Sequence, residues 1–138
     1  MINLTRRYRF AAAHRLHSRS LTAEENARIY GKCNNPYGHG HNYILDVTVA
    51  GPVDAATGMV FDVAKLDLVV RQSVLEPLDH AHLNLDVDRF QNLTPTTENL
   101  CMEIYGILLA NLTHEPGKAF LKRVRLEETS SNYFEYEG

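Results

Sequence analysis

Apolar and polar residues alternate from the second position onward. Ile2, Leu4, Tyr8, Phe10, Ala12 and His14 fall on one face and Asn3, Thr5, Arg7 and Arg9 on the other. This two-residue period predicts a half-buried strand over residues 2 to 14. A polar stretch rich in Arg, Ser, Asn and Gly follows to about Gly38 and reads as loop. Alternation resumes over residues 39 to 50, where His39, His41, Tyr43, Leu45, Val47 and Val49 share a face, and Gly51-Pro52 ends the second strand.

The period then lengthens. Val63, Leu66, Val70 and Val74 recur at helical spacing over residues 62 to 76, with Asp62 as N-cap and Pro77 as the stop. A second helix takes Thr94 as N-cap and Pro95 as its first residue. Its apolar stripe is Leu100, Ile104, Ile107, Leu108 and Leu112, and Pro116-Gly117 lies beyond its end. Residues 119 to 128 and 132 to 137 predict two closing strands around a turn at Ser130-Ser131. The order predicts an α+β fold, a four-stranded antiparallel sheet with two helices on one face. Four strands cannot close into a barrel, so open edges remain, and other subunits are one way to cover them.

Composition adds limits. A chain of 138 residues and 15.6 kDa is the size of one domain, and no repeat or linker divides it, so residues 1–138 are read as a single domain. No apolar run approaches the ~20 residues that cross a bilayer, and Met1–Arg7 lacks a signal peptide's apolar core. Two cysteines make no disulfide framework, which places the protein in the cytoplasm. The net charge of −3 excludes a generically basic nucleic-acid binder. Charge is nevertheless uneven: residues 1 to 32 hold seven basic side chains against Glu24 and Glu25, while the remainder is acidic. That asymmetry fits either a solvated charged face or a local positive field for a small anionic ligand.

The histidines carry the most chemistry. His39 and His41 point the same way on one strand, and His14 continues the buried face of the other. Paired side by side, these strands bring three imidazoles to one end of the sheet. Three neutral imidazoles with an open fourth position are the ligand set of a catalytic zinc. The plain alternative is three hydrogen-bonded histidines at the edge of a core. Cys33, in the loop before His39 and beside Lys32, is a candidate thiolate base or nucleophile with a lowered pKa, or a fourth ligand that would close the site. Cys101 falls within the second helix as a packing residue. Asp79-His80 is either an acid-oriented imidazole for proton transfer or a cap. Glu128 continues the inward face of Phe120, Val124 and Leu126, where an unpaired carboxylate is costly. A slip or bulge would exchange it with Glu127.

Several segments together resemble the 6-pyruvoyl-tetrahydropterin synthase family over nearly the whole chain. They are Phe10-Ala11-Ala12-Ala13-His14-Arg15-Leu16, Gly31-Lys32-Cys33-Asn34-Asn35-Pro36-Tyr37-Gly38-His39-Gly40-His41-Asn42-Tyr43, Thr57-Gly58-Met59-Val60, Pro77-Leu78-Asp79-His80, Pro95-Thr96-Thr97-Glu98-Asn99 and Glu128-Thr129. The resemblance implies a lyase that converts 7,8-dihydroneopterin triphosphate to 6-pyruvoyl-tetrahydropterin and releases triphosphate, in tetrahydrobiopterin biosynthesis. It implies zinc on His14, His39 and His41, and Cys33 as the proton-abstracting base. Asp79 and His80 would form the partner relay from a neighbouring subunit. Glu128 would anchor the pterin, helped by the backbone around Thr96 and Thr97. It also implies the tunnelling fold, in which subunits join sheets into a trimeric barrel and two trimers stack as a hexamer, with neither a nucleic-acid nor a membrane partner.

Arg15, Arg19 and Lys32 are candidates for the triphosphate on charge and position. Two rival readings exist. The sister 6-carboxytetrahydropterin synthase, of the 7-deazaguanine pathway, takes the same substrate, but its members resemble a shorter pattern, with three residues where Asn34 to Gly38 separate Cys33 from His39 here. The other is a non-catalytic protein in which Cys33 and the three histidines close a structural zinc site.

Overall fold

A computed structural model describes every residue from Met1 to Gly138. Its strands are β1 (Ile2–His14), β2 (His39–Gly51), β3 (Ala81–His82), β4 (Phe120–Thr129) and β5 (Asn132–Tyr136). Its helices are α1 (Ala23–Tyr30), α2 (Val63–Val70), α3 (Glu76–Leu78), α4 (Leu83–Asp86) and α5 (Thr97–Asn111). The sheet runs in the order β3-β1-β2-β4-β5. The expected four antiparallel strands are present, but β3 adds a fifth, parallel to β1 through Ala12 and Ala81, so the sheet is mixed. Two residues of strand are too short to show a period, which is why the sequence pattern reads Ala81-His82 as loop.

Three helix boundaries also differ from expectation. The polar stretch holds α1, started by a reciprocal cap in which Thr22 and Glu25 each accept the other's backbone N–H. Pro77 does not stop the helix that Asp62 caps. Between α2 and α3 the chain widens into a π-turn over Arg71–Leu75, and Pro77 sits inside α3. The wider turn takes up a residue that has no N–H to give and would crowd a regular helix. The last helix starts at Thr96, whose hydroxyl accepts the Asn99 N–H, two residues after Thr94.

The core lies between the sheet and the helices. Tyr43, Leu45, Val47 and Val49 of β2 meet Val124 and Leu126 of β4, Leu66 and Val70 of α2, and Leu100, Ile104 and Leu108 of α5, all fully buried or nearly so. Cys101 packs among them, its thiol pushed up to about 12, mainly by burial. On the opposite face Asp46 is buried too. Arg7 of β1 grips it through Nε at 2.8 Å and a terminal nitrogen at 3.1 Å, and Arg125 of β4 approaches to 3.4 Å, so one carboxylate ties three strands.

The Arg7 hydrogen bonds hold the Asp46 carboxyl below its usual range. The stability this contributes is fully present above the unfolded carboxylate pKa of about 3.9 and is lost as pH falls through the lower folded value. Asp46→Ala is therefore expected to cost about 1–3 kcal/mol at pH 7 in urea unfolding and to flatten the acid limb of the stability curve. Equal midpoints for the two proteins at pH 7 would refute the role.

Candidate functional site

Strand register builds the first half of the site. In the β1–β2 ladder His14 stands opposite His39 and Ala12 opposite His41, so the three imidazoles converge as their alternation predicts. One ligand atom from each lies within 4.8 Å of the others. His14 Nε2 and His39 Nε2 are 3.1 Å apart. His14 is fully buried, and its Nδ1 lies 2.8 Å from the Pro95 carbonyl. That carbonyl can only accept, so Nδ1 carries the proton and Nε2 presents a lone pair to the cluster.

Burial dominates the titration of two of the rings. It pushes His14 and His41 below the ordinary histidine range, against the Pro95 carbonyl in one case and the Glu128 charge in the other. Neutral imidazole is the form that binds a metal. His41 Nε2 is buried without a hydrogen bond of good geometry, although Glu128 Oε1 is 3.2 Å away. Two ring nitrogens meeting at 3.1 Å, one of them a fixed acceptor, and a buried third nitrogen with no partner suit a three-histidine metal site. The donor set fits a divalent transition metal. Cys33 lies outside the three-histidine cluster, which disfavours the rival reading of a four-ligand structural site.

Glu128 comes from β4. The ladder passes from Glu127↔Tyr133 to Thr129↔Asn132, leaving Glu128 as the extra residue of a bulge. The bulge does not exchange the two acids. Glu128 faces the core, next to His41 and accepting from the Thr97 hydroxyl, while Glu127 lies 3.7 Å from Arg125 on the other face. Thr97 is buried at the start of α5, whereas the Thr96 hydroxyl is committed to the helix cap.

The Cys33 loop is stapled to the residues that follow His14. Leu16 donates its N–H to the Cys33 carbonyl at 2.8 Å, Asn34 donates to the Leu16 carbonyl at 2.7 Å, and Arg15 Nε donates to the Asn34 carbonyl at 3.2 Å. Its thiol departs from expectation. Burial first, then the Glu128 charge, pushes the Cys33 pKa up, and Lys32 does not reverse this. A cation on the triad would act in the opposite sense.

Asp79 and His80 lie apart from this cluster. Asp79 Oδ1 accepts the Ala11 N–H at 2.9 Å, which holds its carboxyl below the usual range, and sits 3.0 Å from His80 Nδ1. The His80 N–H donates to the Ala11 carbonyl, and its backbone takes a φ of 62°, an uncommon conformation for a residue with a side chain. The ring is 84% exposed and pairs with nothing in this chain but Asp79. Sequence reasoning missed the Pro95 carbonyl and the buried Tyr43 hydroxyl, which has no partner. The phase of Tyr43 with His39 and His41 could have revealed the latter.

Removing any one of the three imidazoles is expected to lower divalent-metal affinity by more than the ~10–100-fold that follows loss of a ligand's orienting partner. Metal analysis of His14→Ala, His39→Ala and His41→Ala proteins after dialysis checks this. Wild-type metal content in all three would refute it.

Comparison with known proteins follows the same lines. The sequence model of the family described as 6-pyruvoyl tetrahydropterin synthase matches residues 3–138. The 6-pyruvoyl tetrahydrobiopterin synthase of Homo sapiens is 43% identical over 98% of this chain and 90% of its own length. The 6-carboxy-5,6,7,8-tetrahydropterin synthase of Haemophilus influenzae is 25% identical over 99% of each. The solved 6-pyruvoyl tetrahydropterin synthase of Caenorhabditis elegans superimposes with a TM-score of 0.93 at 40% identity, over 99% of this chain and 95% of that one.

Proposed function

The chain belongs to the 6-pyruvoyl tetrahydropterin synthase family, and we propose that it converts 7,8-dihydroneopterin triphosphate to 6-pyruvoyl-tetrahydropterin with release of triphosphate. The observation that supports this reading is the contact of Glu128 with both His41 and Thr97, a carboxylate suited to a pterin edge beside three convergent histidines. The reaction is an internal elimination and rearrangement, so it needs no outside oxidant or reductant.

In this reading His14, His39 and His41 would hold zinc, which when bound would supply Lewis acidity to the carbon–hydrogen bonds beside the substrate's side-chain hydroxyls. Glu128 accepts hydrogen bonds from the flat, amide-like edge of the pterin, with the backbone around Thr96 and Thr97 beside it. This fixes the side chain over the histidines. Cys33 takes the proton from the side-chain carbon, on a loop that the hydrogen bonds of Cys33 and Asn34 to Leu16 hold in place. His80, oriented by Asp79, returns protons to the neighbouring site of another subunit. The high exposure of His80 supports that last role, because a ring turned away from its own cluster is free to complete another.

The assembly we propose is a dimer of trimers with sheets joined at their edges, residues 1–138 forming a single pterin-synthase-like domain around one continuous core. No helix is long and apolar enough to cross a membrane. Cys33 and Cys101 are unpaired thiols, which suits a reducing compartment such as the cytoplasm.

The five residues between Cys33 and His39 set where the base stands relative to the metal. A displacement of ~1 Å there costs on the order of a hundredfold in rate. Incubation with dihydroneopterin triphosphate under anaerobic conditions is expected to give mainly 6-pyruvoyl-tetrahydropterin by mass analysis. Predominant 6-carboxy product with released acetaldehyde would identify the sister reaction instead.

Mixing inactive Cys33→Ala chains with inactive His80→Ala chains is expected to restore part of the activity, since some mixed sites then carry both groups. No recovery after verified subunit exchange would place the whole site in one chain.

A further inference from the structure

A cleft of about 590 Å³ opens beside the triad. Its wall includes Pro95, whose carbonyl holds His14, and Arg15, the residue after that ligand. No aspartate or glutamate lines it, although the chain as a whole is acidic. The neighbouring Asp86 carboxylate is taken up by the His82 N–H at 2.8 Å.

The cations in this cleft are unpaired. Most other arginines of the chain pair with a carboxylate: Arg6 with Asp67, Arg7 and Arg125 with Asp46, Arg71 with Glu76, Arg89 with Glu103, Arg123 with Glu135. Arg15 uses only its Nε, on the Asn34 carbonyl, and Arg19 has no hydrogen-bond or ion-pair partner. Two histidines join them. His17 Nδ1 lies 3.1 Å from the Asn34 amide nitrogen, which donates to it, so the neutral ring carries its proton on Nε2. His82 Nδ1 is buried with no partner.

The segment that carries Arg19 is also fixed. Buried Asn26 accepts the Ser18 N–H at 2.7 Å and donates to the carbonyls of Ser18, Leu21 and Thr22. Free guanidinium groups held by rigid backbone, in a cleft without a competing acid, make a site for a multiply charged phosphate chain.

We propose that this cleft is the polyphosphate subsite of the active centre, with Arg15 and Arg19 clasping the phosphate tail and His17 and His82 donating beside them. The proposal rests on the function proposed above and adds to it the place of the triphosphate. The substrate then lies in one line: ring at Glu128 and Thr97, side chain over the histidines, phosphates between Arg15 and Arg19. Lys32, the third basic candidate of the sequence, does not line the cleft and has no part in it.

The test compares wild type with Arg19→Gln, Arg15→Gln and the control Arg9→Gln, which removes an exposed cation of β1 outside the cleft. Affinity for inorganic tripolyphosphate is measured by calorimetry on the metal-loaded full chain, with metal content checked before and after because tripolyphosphate binds divalent cations. Arg19→Gln and Arg15→Gln are expected to weaken binding at least ~tenfold each, as for lost charge-assisted hydrogen bonds to phosphate, and to raise KM for dihydroneopterin triphosphate in proportion. Affinity for unphosphorylated neopterin and the metal content should stay within about twofold, and Arg9→Gln should behave as wild type.

Unchanged tripolyphosphate affinity in both cleft variants would overturn the subsite, whatever the enzyme turns over. Arginine-dependent tripolyphosphate binding in a protein that fails to turn over dihydroneopterin triphosphate would uphold the subsite and remove the proposed reaction. Because Arg15 also supports the Cys33 loop, Arg19→Gln is the deciding variant.

Discussion

Two strands must pair in one register for this site to exist. Sliding β1 by a single residue against β2 would turn His14 to the opposite face and part it from His39 and His41. Several contacts hold the register along the ladder. Arg7 grips its partner Asp46, the Thr5 and Thr48 hydroxyls meet at 2.8 Å, and the Phe10 and Tyr43 rings stack at 5.0 Å. Polar clamps hold one face and aromatic packing the other, so neither face can slip alone.

Burial then divides the site between groups it helps and groups it opposes. It keeps the imidazoles of His14 and His41 neutral, as ligation requires. The same burial, reinforced by Glu128, raises the Cys33 thiol and works against a thiolate. A divalent charge beside them would relieve both the carboxylate and the thiol. In the proposed reaction, metal binding and activation of Cys33 would therefore be coupled through one electrostatic balance.

Long periodic segments were legible in the sequence. Thirteen residues of alternation in β1 and thirteen in β2 leave little freedom, and the convergence of three histidines follows from them. Short or compensated features were not. Ala81-His82 has too few residues to alternate, and the stop signal of Pro77 is cancelled by a widened turn that only packing reveals. The polar composition of α1 reads as loop, although Thr22 and Glu25 stand at capping-box spacing and could have marked its start. Charge near Cys33 misled for a physical reason. Lys32 is adjacent in sequence, but desolvation and Glu128 decide the thiol.

His14 and His39 are 25 residues apart in the chain, and residues 15–38 must fold back before the two rings meet. The metal pocket has no local precursor: no single strand, helix or turn carries all three ligands. An emerging or unfolded chain therefore offers a cation only scattered imidazoles, and strong capture begins when the long hairpin closes. A bound cation would add its binding free energy to the closed form and slow reopening of the strand pair that carries the histidines. Metal loading would thus act as a late checkpoint on folding, stabilising chains whose strands have paired correctly and passing over those that have slipped.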